Sequence, residues 1–379
     1  MIWGSITVAV LIFIIVLCFT AENILAYRSR EFLGIVPTVA NAPSISIVVA
    51  ARNEADKIEP ALRSLMTQDY PHLEVVMVND RSDDSTAPIL ERVKQELPNL
   101  TVITIHDLPP GWLGKNHALE KGAAQTKGDW ILFTDADVHL HPHAISSAVA
   151  KVCKEGIDHL VLMPRTIMPT ALLRLFVTTF GVFFTAHIKP HRVHKTGSRY
   201  HIGVGAFNFV RKSAYEKVGG HQSIARKIDD DIKLGKILKN AGYKQRVFDG
   251  RDLVSVEWYS TTREMIRGLT KNMFAGVNYN FTFVCASTLV MLLIFIWPYV
   301  ALSLTHGLSF YLYLGSAFML SFVGFMHNRI MGYKGWLGIL FPFGVLLTTY
   351  VLWRSTLITL WQGGVVWRGT HYPLEELRK

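Results

Sequence analysis

The chain has 379 residues, a formal net charge of +10, half of its residues hydrophobic and a mean hydropathy of +0.26. That length holds one large domain or two ordinary ones with a sizeable core, and the hydropathy is high for a purely soluble enzyme. The basic residues sit beside apolar segments, which points to anionic lipid and excludes nucleic acid as the expected partner. The three cysteines, Cys18, Cys153 and Cys285, are scattered and supply neither a disulfide framework nor a zinc spacing.

Residues 1–26 are apolar with no charge before Glu22, and Tyr27-Arg28-Ser29-Arg30 follows at once. A span needs about 20 apolar residues, so residues 1–27 are read as a retained transmembrane anchor, with its arginines on the cytoplasmic side. From about 40 to 260 the periodicity changes. Ser44–Ala50, Leu73–Val78, Leu100–Ile105 and Trp130–Phe133 read as strands; Ala55–Thr67, Asp83–Leu97 and Asn116–Thr126 read as helices. The alternation predicts an α/β domain with a mostly parallel sheet covered by helices on both faces.

Residues 166–186, apolar apart from Arg174, interrupt that domain and are expected to form an interfacial helix on the bilayer. The following His187–Lys195, with three histidines, reads as a basic surface for lipid headgroups. Residues 261–280 read as an amphipathic connector. Residues 281–361 contain about three apolar segments. Phe281–Leu304 and Leu308–Met326 are long enough to span; Trp336–Trp361 carries Pro342 and Arg354, and either crosses or bends back as an interfacial helix from near Trp353. Residues 362–379 form a basic tail. The layout predicts a multi-pass protein of the cell membrane with its α/β domain in the cytoplasm.

In parallel sheets ligands bind at the carboxyl ends of the strands, and the polar motifs fall there. Ala51-Arg52-Asn53-Glu54 follows the first strand, Asn79-Asp80 the second and Asp135-Ala136-Asp137 the fourth. Two carboxylates two residues apart at a strand end can approach one hard cation, with a diphosphate supplying further oxygens. A bare Asp-x-Asp is more often a turn; its place beyond a buried strand, in order with the other motifs, favours the metal reading for Asp135 and Asp137. Asp80 is placed to accept from a base N–H, while Ser82 or Asp83 can cap the next helix. Lys115 stands near a helix start that favours anions, and reads as a partner for phosphates. In Asp229-Asp230-Asp231 mutual repulsion raises some of the pKa values, as a general base requires; a helix N-terminus stabilised by acids is the alternative. His221, after Gly219-Gly220, is a further candidate for the metal or the acceptor pocket.

This ordered set, with Gly114-Lys115-Asn116-His117-Ala118-Leu119, Val218-Gly219-Gly220-His221 and Asp230-Asp231-x-x-Leu234, resembles the family 2 inverting glycosyltransferases of GT-A fold over residues 43–250. The overall layout and the tail Gly363–Tyr372 are similar to bacterial carotenoid-acid (4,4′-diaponeurosporenoate type) and hopanoid-associated membrane glycosyltransferases. The resemblance implies a UDP-sugar bound by Ala51, Arg52, Asn53, Glu54, Asp80, Lys115, Asp135 and Ala136, with a divalent metal, Mn or Mg, on Asp135 and Asp137. It aligns Asp231 with the acceptor base and Asp230 with the preceding Glu. Processive members carry Gln-x-x-Arg-Trp further on; Thr262–Asn272 lacks it, so transfer of a single sugar is expected.

The expected function is therefore inverting transfer from a UDP-sugar to a lipid-soluble acceptor, a carotenoid acid or other terpenoid. A polyprenyl phosphate or diacylglycerol acceptor is the alternative within enzymes. A non-catalytic membrane protein or transporter is the alternative outside them, against which stands the lack of an inverted repeat and of charges paired within a span.

Overall fold

The computed structural model describes residues 2–37 and 42–378, with side chains from residue 6 onward. The expected start of the α/β domain at residue 40, and the last residue of the tail, lie outside the described residues. Helix α1 (Ile2–Arg28) is followed by β1 (Ile45–Ala51), α2 (Ile58–Met66), β2 (Leu73–Asp80), α3 (Thr86–Glu96), β3 (Leu100–Ile105), α4 (Gly114–Ala123) and β4 (Trp130–Asp135). Next come β5 (Val138–Leu140), α5 (Ala144–Glu155), β6 (His159–Met163), β7 (Arg165–Thr166), α6 (Ala171–Ile188) and α7 (Pro190–Val193). The domain closes with β8 (Asn208–Arg211), α8 (Lys212–Lys217), α9 (Asp230–Asn240), β9 (Gln245–Asp249) and β10 (Val254–Val256). Beyond it lie α10 (Thr262–Leu269), α11 (Phe281–Val290), α12 (Trp297–Ala301), α13 (Gly307–Ile330), α14 (Phe341–Trp361), β11 (Gly364–Trp367), β12 (Thr370–Pro373) and α15 (Leu374–Leu377).

Seven strands form one sheet in the order β3-β2-β1-β4-β8-β6-β9. The pairs β2–β3, β1–β2 and β1–β4 are parallel, as expected, and β6–β9 is too; β8 runs antiparallel to both β4 and β6. Alternation along β1 sends Ile45, Ile47 and Val49 to a core with α2, α3 and α5, and Val48 to a second core with α4 and α9. Each fully buried Ile or Leu of these cores contributes roughly 1.5–3 kcal/mol. The register pairs Ala50 with Asp135 and Ala51 with Asn79, so the polar tips share one edge.

Among the described residues five helices are long and apolar enough to cross a membrane: Ile6–Arg28, Ala171–Val193, Phe281–Ala301, Gly307–Ile330 and Gly335–Trp361. The helix expected at 166–186 starts five residues later, beyond Pro169, where the Thr170 hydroxyl accepts from the Leu173 N–H at 3.3 Å. It packs against α1, α13 and α14, so its inner face is occupied by protein. Pro342 does not interrupt the last segment: it lies in the first turn of α14, where its missing N–H has no intrahelical partner to lose, and the helix continues through Trp353 to Trp361. Pro298, by contrast, lies inside Phe281–Ala301, and the chain widens into a π-type turn over Met291–Ile296 just before it. Phe318 and Phe343 are more than half exposed on the outer faces of α13 and α14, a surface suited to an apolar solvent.

One charged cluster joins two of the apolar helices, and a second contact fastens α1 to the sheet. Glu22 of α1 meets Lys189, His191 and Arg192 at 3.4, 3.1 and 3.0 Å. Just past α1, Arg30 pairs with Asp249 at the carboxyl end of β9.

Candidate active site

The edge is assembled loop by loop. Asn53 takes a left-handed backbone, φ 55°, a conformation asparagine tolerates. Its N–H donates to Ser82 Oγ at 3.1 Å, and its Oδ1 accepts from the Asp83 N–H at 3.0 Å. The Glu54 N–H donates to Thr86 Oγ1 at 2.8 Å. Ser82 and Asp83, expected as helix caps, thus clamp the β1 loop, and Asp84 Oδ1 accepts from the Thr86 N–H at 2.9 Å in their place. The clamp turns Arg52 and Glu54 into the cleft, whereas Asn53 supports the loop from outside its lining.

Asp80 is buried at the tip of β2, and Arg81 donates to both of its carboxylate oxygens, at 2.7 and 3.0 Å. Gly114 sits directly against this pair: a Cβ there would lie 2.4 Å from Asp80 Oδ2. The next residue, Lys115, places Nζ 2.9 Å from Asp135 Oδ1 and 3.3 Å from Asp230 Oδ2, bridging the β4 tip to the start of α9. Asn116 holds that approach from behind, its buried Nδ2 donating to the carbonyls of Ile224 and Lys227 at 2.8 and 2.9 Å.

The segment Gly203-Val204-Gly205 runs between the two acidic clusters. The Gly205 N–H donates to Asp231 Oδ2 at 2.8 Å, while its carbonyl accepts from the Asp135 N–H at 3.0 Å. A Cβ on Gly205 would lie 2.5 Å from Asp135 Oδ2, and one on Gly203 only 1.8 Å from the Asp231 carbonyl oxygen. Sequence reasoning missed both glycines; their paired spacing was the available signal.

The charges are unequal in consequence. Burial raises the Asp231 carboxyl, and the neighbouring Asp230 charge adds to this, bringing it to about 7. Burial likewise pushes Asp230 up in spite of Lys115. At Asp135 burial is the largest single influence, but the charge and hydrogen bond of Lys115, with the charges of Lys271 and Arg368, together outweigh it, and the carboxyl lies below its ordinary value. Asp137 is raised to about 6 by burial, then by the charges of Asp135 and Glu54, with Lys57 at 4.0 Å as its nearest cation. Crowded hard oxygens that hold one of their number partly protonated are a cradle suited to a divalent cation. Among the described residues no three His, Cys, Asp or Glu side chains converge as a cage, so further ligands would come from the donor phosphates. His221 is placed elsewhere. Its ring packs on Phe133 at 4.8 Å between centroids and its Nδ1 is 2.9 Å from the Tyr215 hydroxyl. It does not line the cleft, and burial, with Lys115, pulls its pKa down to about 3.

From this edge one continuous cavity of about 2120 Å³ runs past Tyr259 and Met273 to Phe180, Phe183, Met291 and Leu352 of the apolar helices. Its roof includes the hairpin β11–β12. Residues 261–280 are more than a connector, since Lys271 and Met273 line the same cavity and Met265 and Leu269 are buried against α6 and α14.

The model of Glycosyl transferase family 21 matches residues 7–379. The chain belongs to that family. This glycosyltransferase is 24% identical over 378 residues to the 4,4′-diaponeurosporenoate glycosyltransferase of Staphylococcus aureus (strain bovine RF122 / ET3-1), covering 96% of this chain and 97% of the relative. It is 26% identical over 276 residues to the protein of the same name from Staphylococcus haemolyticus, covering 72% and 70%. A mannosyltransferase of Pyrobaculum calidifontis, solved with GDP-Man and Mn2+, superposes with a TM-score of 0.56 at 17% identity over 94% of this chain and 99% of its own. The fold is of the GT-A type expected from the motifs, and the relatives are of the carotenoid-acid type that the layout resembled.

Proposed function

We propose that this family 21 glycosyltransferase moves one sugar, with inversion, from a UDP-sugar to a lipid-soluble acceptor of carotenoid-acid or other terpenoid type, at the cytoplasmic face of the cell membrane. The observation that carries the reading is the cavity, which joins a charged, metal-suited sheet edge to an apolar end among candidate membrane helices. A soluble acceptor needs no such apolar end. The relatives' printed name supplies the acceptor class, and the basic end of α1, tied to the sheet through Arg30 and Asp249, supports the cytoplasmic placing of the domain.

Asp135 and Asp137 would hold a divalent Mn or Mg, which when bound neutralises charge on the departing diphosphate. Arg52, Glu54, Asp80 and Ala136 shape the nucleotide side of the edge, and Lys115 meets the phosphates. Asp231 takes the proton of an acceptor hydroxyl; a carboxylic acid acceptor is already ionised at neutral pH, and Asp231 then only orients it. The acceptor oxygen bonds to C1 while the C1–O bond to the diphosphate breaks, its electron pair leaving with the diphosphate.

The test is turnover in membranes with UDP- and GDP-sugars, followed by extraction of the lipids that gain a hexose. A carotenoid or other terpenoid gaining it from the UDP-sugar is the expected outcome. Polyprenyl phosphate or diacylglycerol as the labelled lipid would replace the acceptor class, and consumption of GDP-sugar alone would replace the donor. Asp137→Asn is expected to abolish the turnover that depends on added Mn or Mg; unchanged turnover would sink the metal role.

A further inference from the structure

The hairpin β11–β12 turns through Arg368-Gly369, both in the left-handed region at φ 47° and 78°. A two-residue turn with both central φ angles positive favours Asn and Gly; an arginine there accepts backbone strain to reach a particular place. The place is the cleft. Arg368 pairs with Glu54 across the cleft from the β1 loop, Arg52 donates to Thr370 Oγ1 at 3.3 Å, and the Gly114 N–H donates to the Tyr372 hydroxyl at 3.2 Å. Val365 and Tyr372 pack into a core with Leu113, Phe274 and Tyr279. The hairpin is thus fastened to the strand tips on one side and to residues 273–279 on the other.

It also holds Lys271, whose Nζ lies 3.9 Å from the centre of the Trp367 ring. Among the described residues Lys271 makes no ion pair or hydrogen bond with the protein, although Asp135 and Asp230 are close enough to act on its charge. Those two carboxylates are engaged by Lys115. Burial, reinforced by the nearby Lys115 and Arg368, draws the Lys271 ammonium down to about 7. Lys115 and Arg368 already have carboxylate partners, whereas the Lys271 ammonium has only the Trp367 ring and lines the same cleft as Arg52, Glu54 and Gly114.

We propose that Lys271 and Arg368, set together by Trp367, are ligands of the donor diphosphate, which makes the C-terminal hairpin a wall of the donor site. The assignment rests on the reading above that the donor is a sugar nucleoside diphosphate. In this arrangement Arg368 exchanges Glu54 for phosphate oxygens, which its planar fork fits better than an ammonium does, and frees Glu54 to face the Asp135–Asp137 side. Lys271 gains a stronger counter-charge than the Trp367 ring provides.

The experiment is calorimetric titration of the full chain in detergent micelles with UDP, GDP, inorganic pyrophosphate, uridine and guanosine, for the wild type, Lys271→Met, Arg368→Gln and the charge-keeping Lys271→Arg and Arg368→Lys. Each neutralising variant is expected to weaken pyrophosphate, and whichever nucleoside diphosphate binds, by about tenfold or more, the size of one hydrogen bond to a charged group. The nucleoside is expected to bind unchanged, the charge-keeping variants to stay within about threefold of wild type, and the acceptor KM to stay level. Equal loss of nucleoside and diphosphate binding would show a merely structural hairpin and overturn the assignment. So would a raised acceptor KM with donor binding intact, which would make the anion the acceptor's. Wild type that binds neither diphosphate overturns the donor reading itself; wild type that binds one, with variants binding it equally well, overturns only this assignment.

Discussion

At the sheet edge Glu54, Asp135, Asp137, Asp230 and Asp231 stand among Lys57, Lys115 and Arg368, held by glycines that leave no room for a methyl group; at the far end of the same cavity the lining is Phe180, Phe183, Met291 and Leu352. The first region is fixed by directional bonds and pays for its like charges with shifted pKa values. The second is fixed mainly by packing, and its outer helix faces remain exposed. Chemistry that depends on the place of a proton belongs to the rigid end. On the proposed reading, recognition of a long apolar acceptor needs area and shape, which flexible side chains such as Met291 would supply.

The largest expected effect is at the rigid end. Asp231→Asn is expected to lower kcat by ~10²–10⁴ with a hydroxyl acceptor, the usual contribution of a general base, and far less with a carboxylate acceptor; single-turnover rates on the two acceptors measure the difference. The same contrast appears with pH. The Asp231 carboxyl stands raised to about 7, so its base form is lost below that. Turnover of a hydroxyl acceptor should fall about tenfold per unit as pH drops below 7, while a carboxylate acceptor should hold its rate to about pH 6, below which protonation of Asp137 lowers both. A pH profile that is identical for both acceptors would remove Asp231 from proton transfer.

Next comes Gly205→Ala. Its Cβ would press on Asp135 Oδ2, and a displacement of this kind is expected to cost about 10²-fold in kcat/KM for the donor with little change in acceptor KM. Equal damage to both substrates would mean that the glycine serves only the fold. At the apolar end the expectation reverses: Met291→Trp should raise the acceptor KM by about tenfold, the scale of overpacking a filled site, and leave the donor KM alone. The smallest effect is expected at Thr370→Val, which removes one 3.3 Å bond to Arg52; the donor KM should change less than about threefold and the thermal midpoint by only a few degrees.

The rigid region was largely legible in the chain itself. Strand periodicity and motif order placed Arg52, Glu54, Asp80 and Asp135 on one edge, because in a parallel sheet each motif that follows a strand must emerge on the same side. The apolar segments were legible for a similar reason, since length and composition alone qualify a helix for the bilayer. Their inner packing was not: the helix read at 166–186 as interfacial starts at Ala171 and buries one face on α1, α13 and α14.

Local order is written along the chain: which residues form strands, which tips carry carboxylates, which helices are apolar. The long-range meetings arise only when the chain folds. Folding set His221 into the core beside Tyr215, where burial, with the Lys115 charge, leaves it neutral, and it threaded Gly203 and Gly205 between Asp135 and Asp231. It also carried Arg368 back across some 300 residues to Glu54, and laid Trp367 over Lys271. Periodicity reports which face of an element is apolar; it holds no information about which distant element will cover that face, because that choice is made by shape and charge only once the chain has closed on itself.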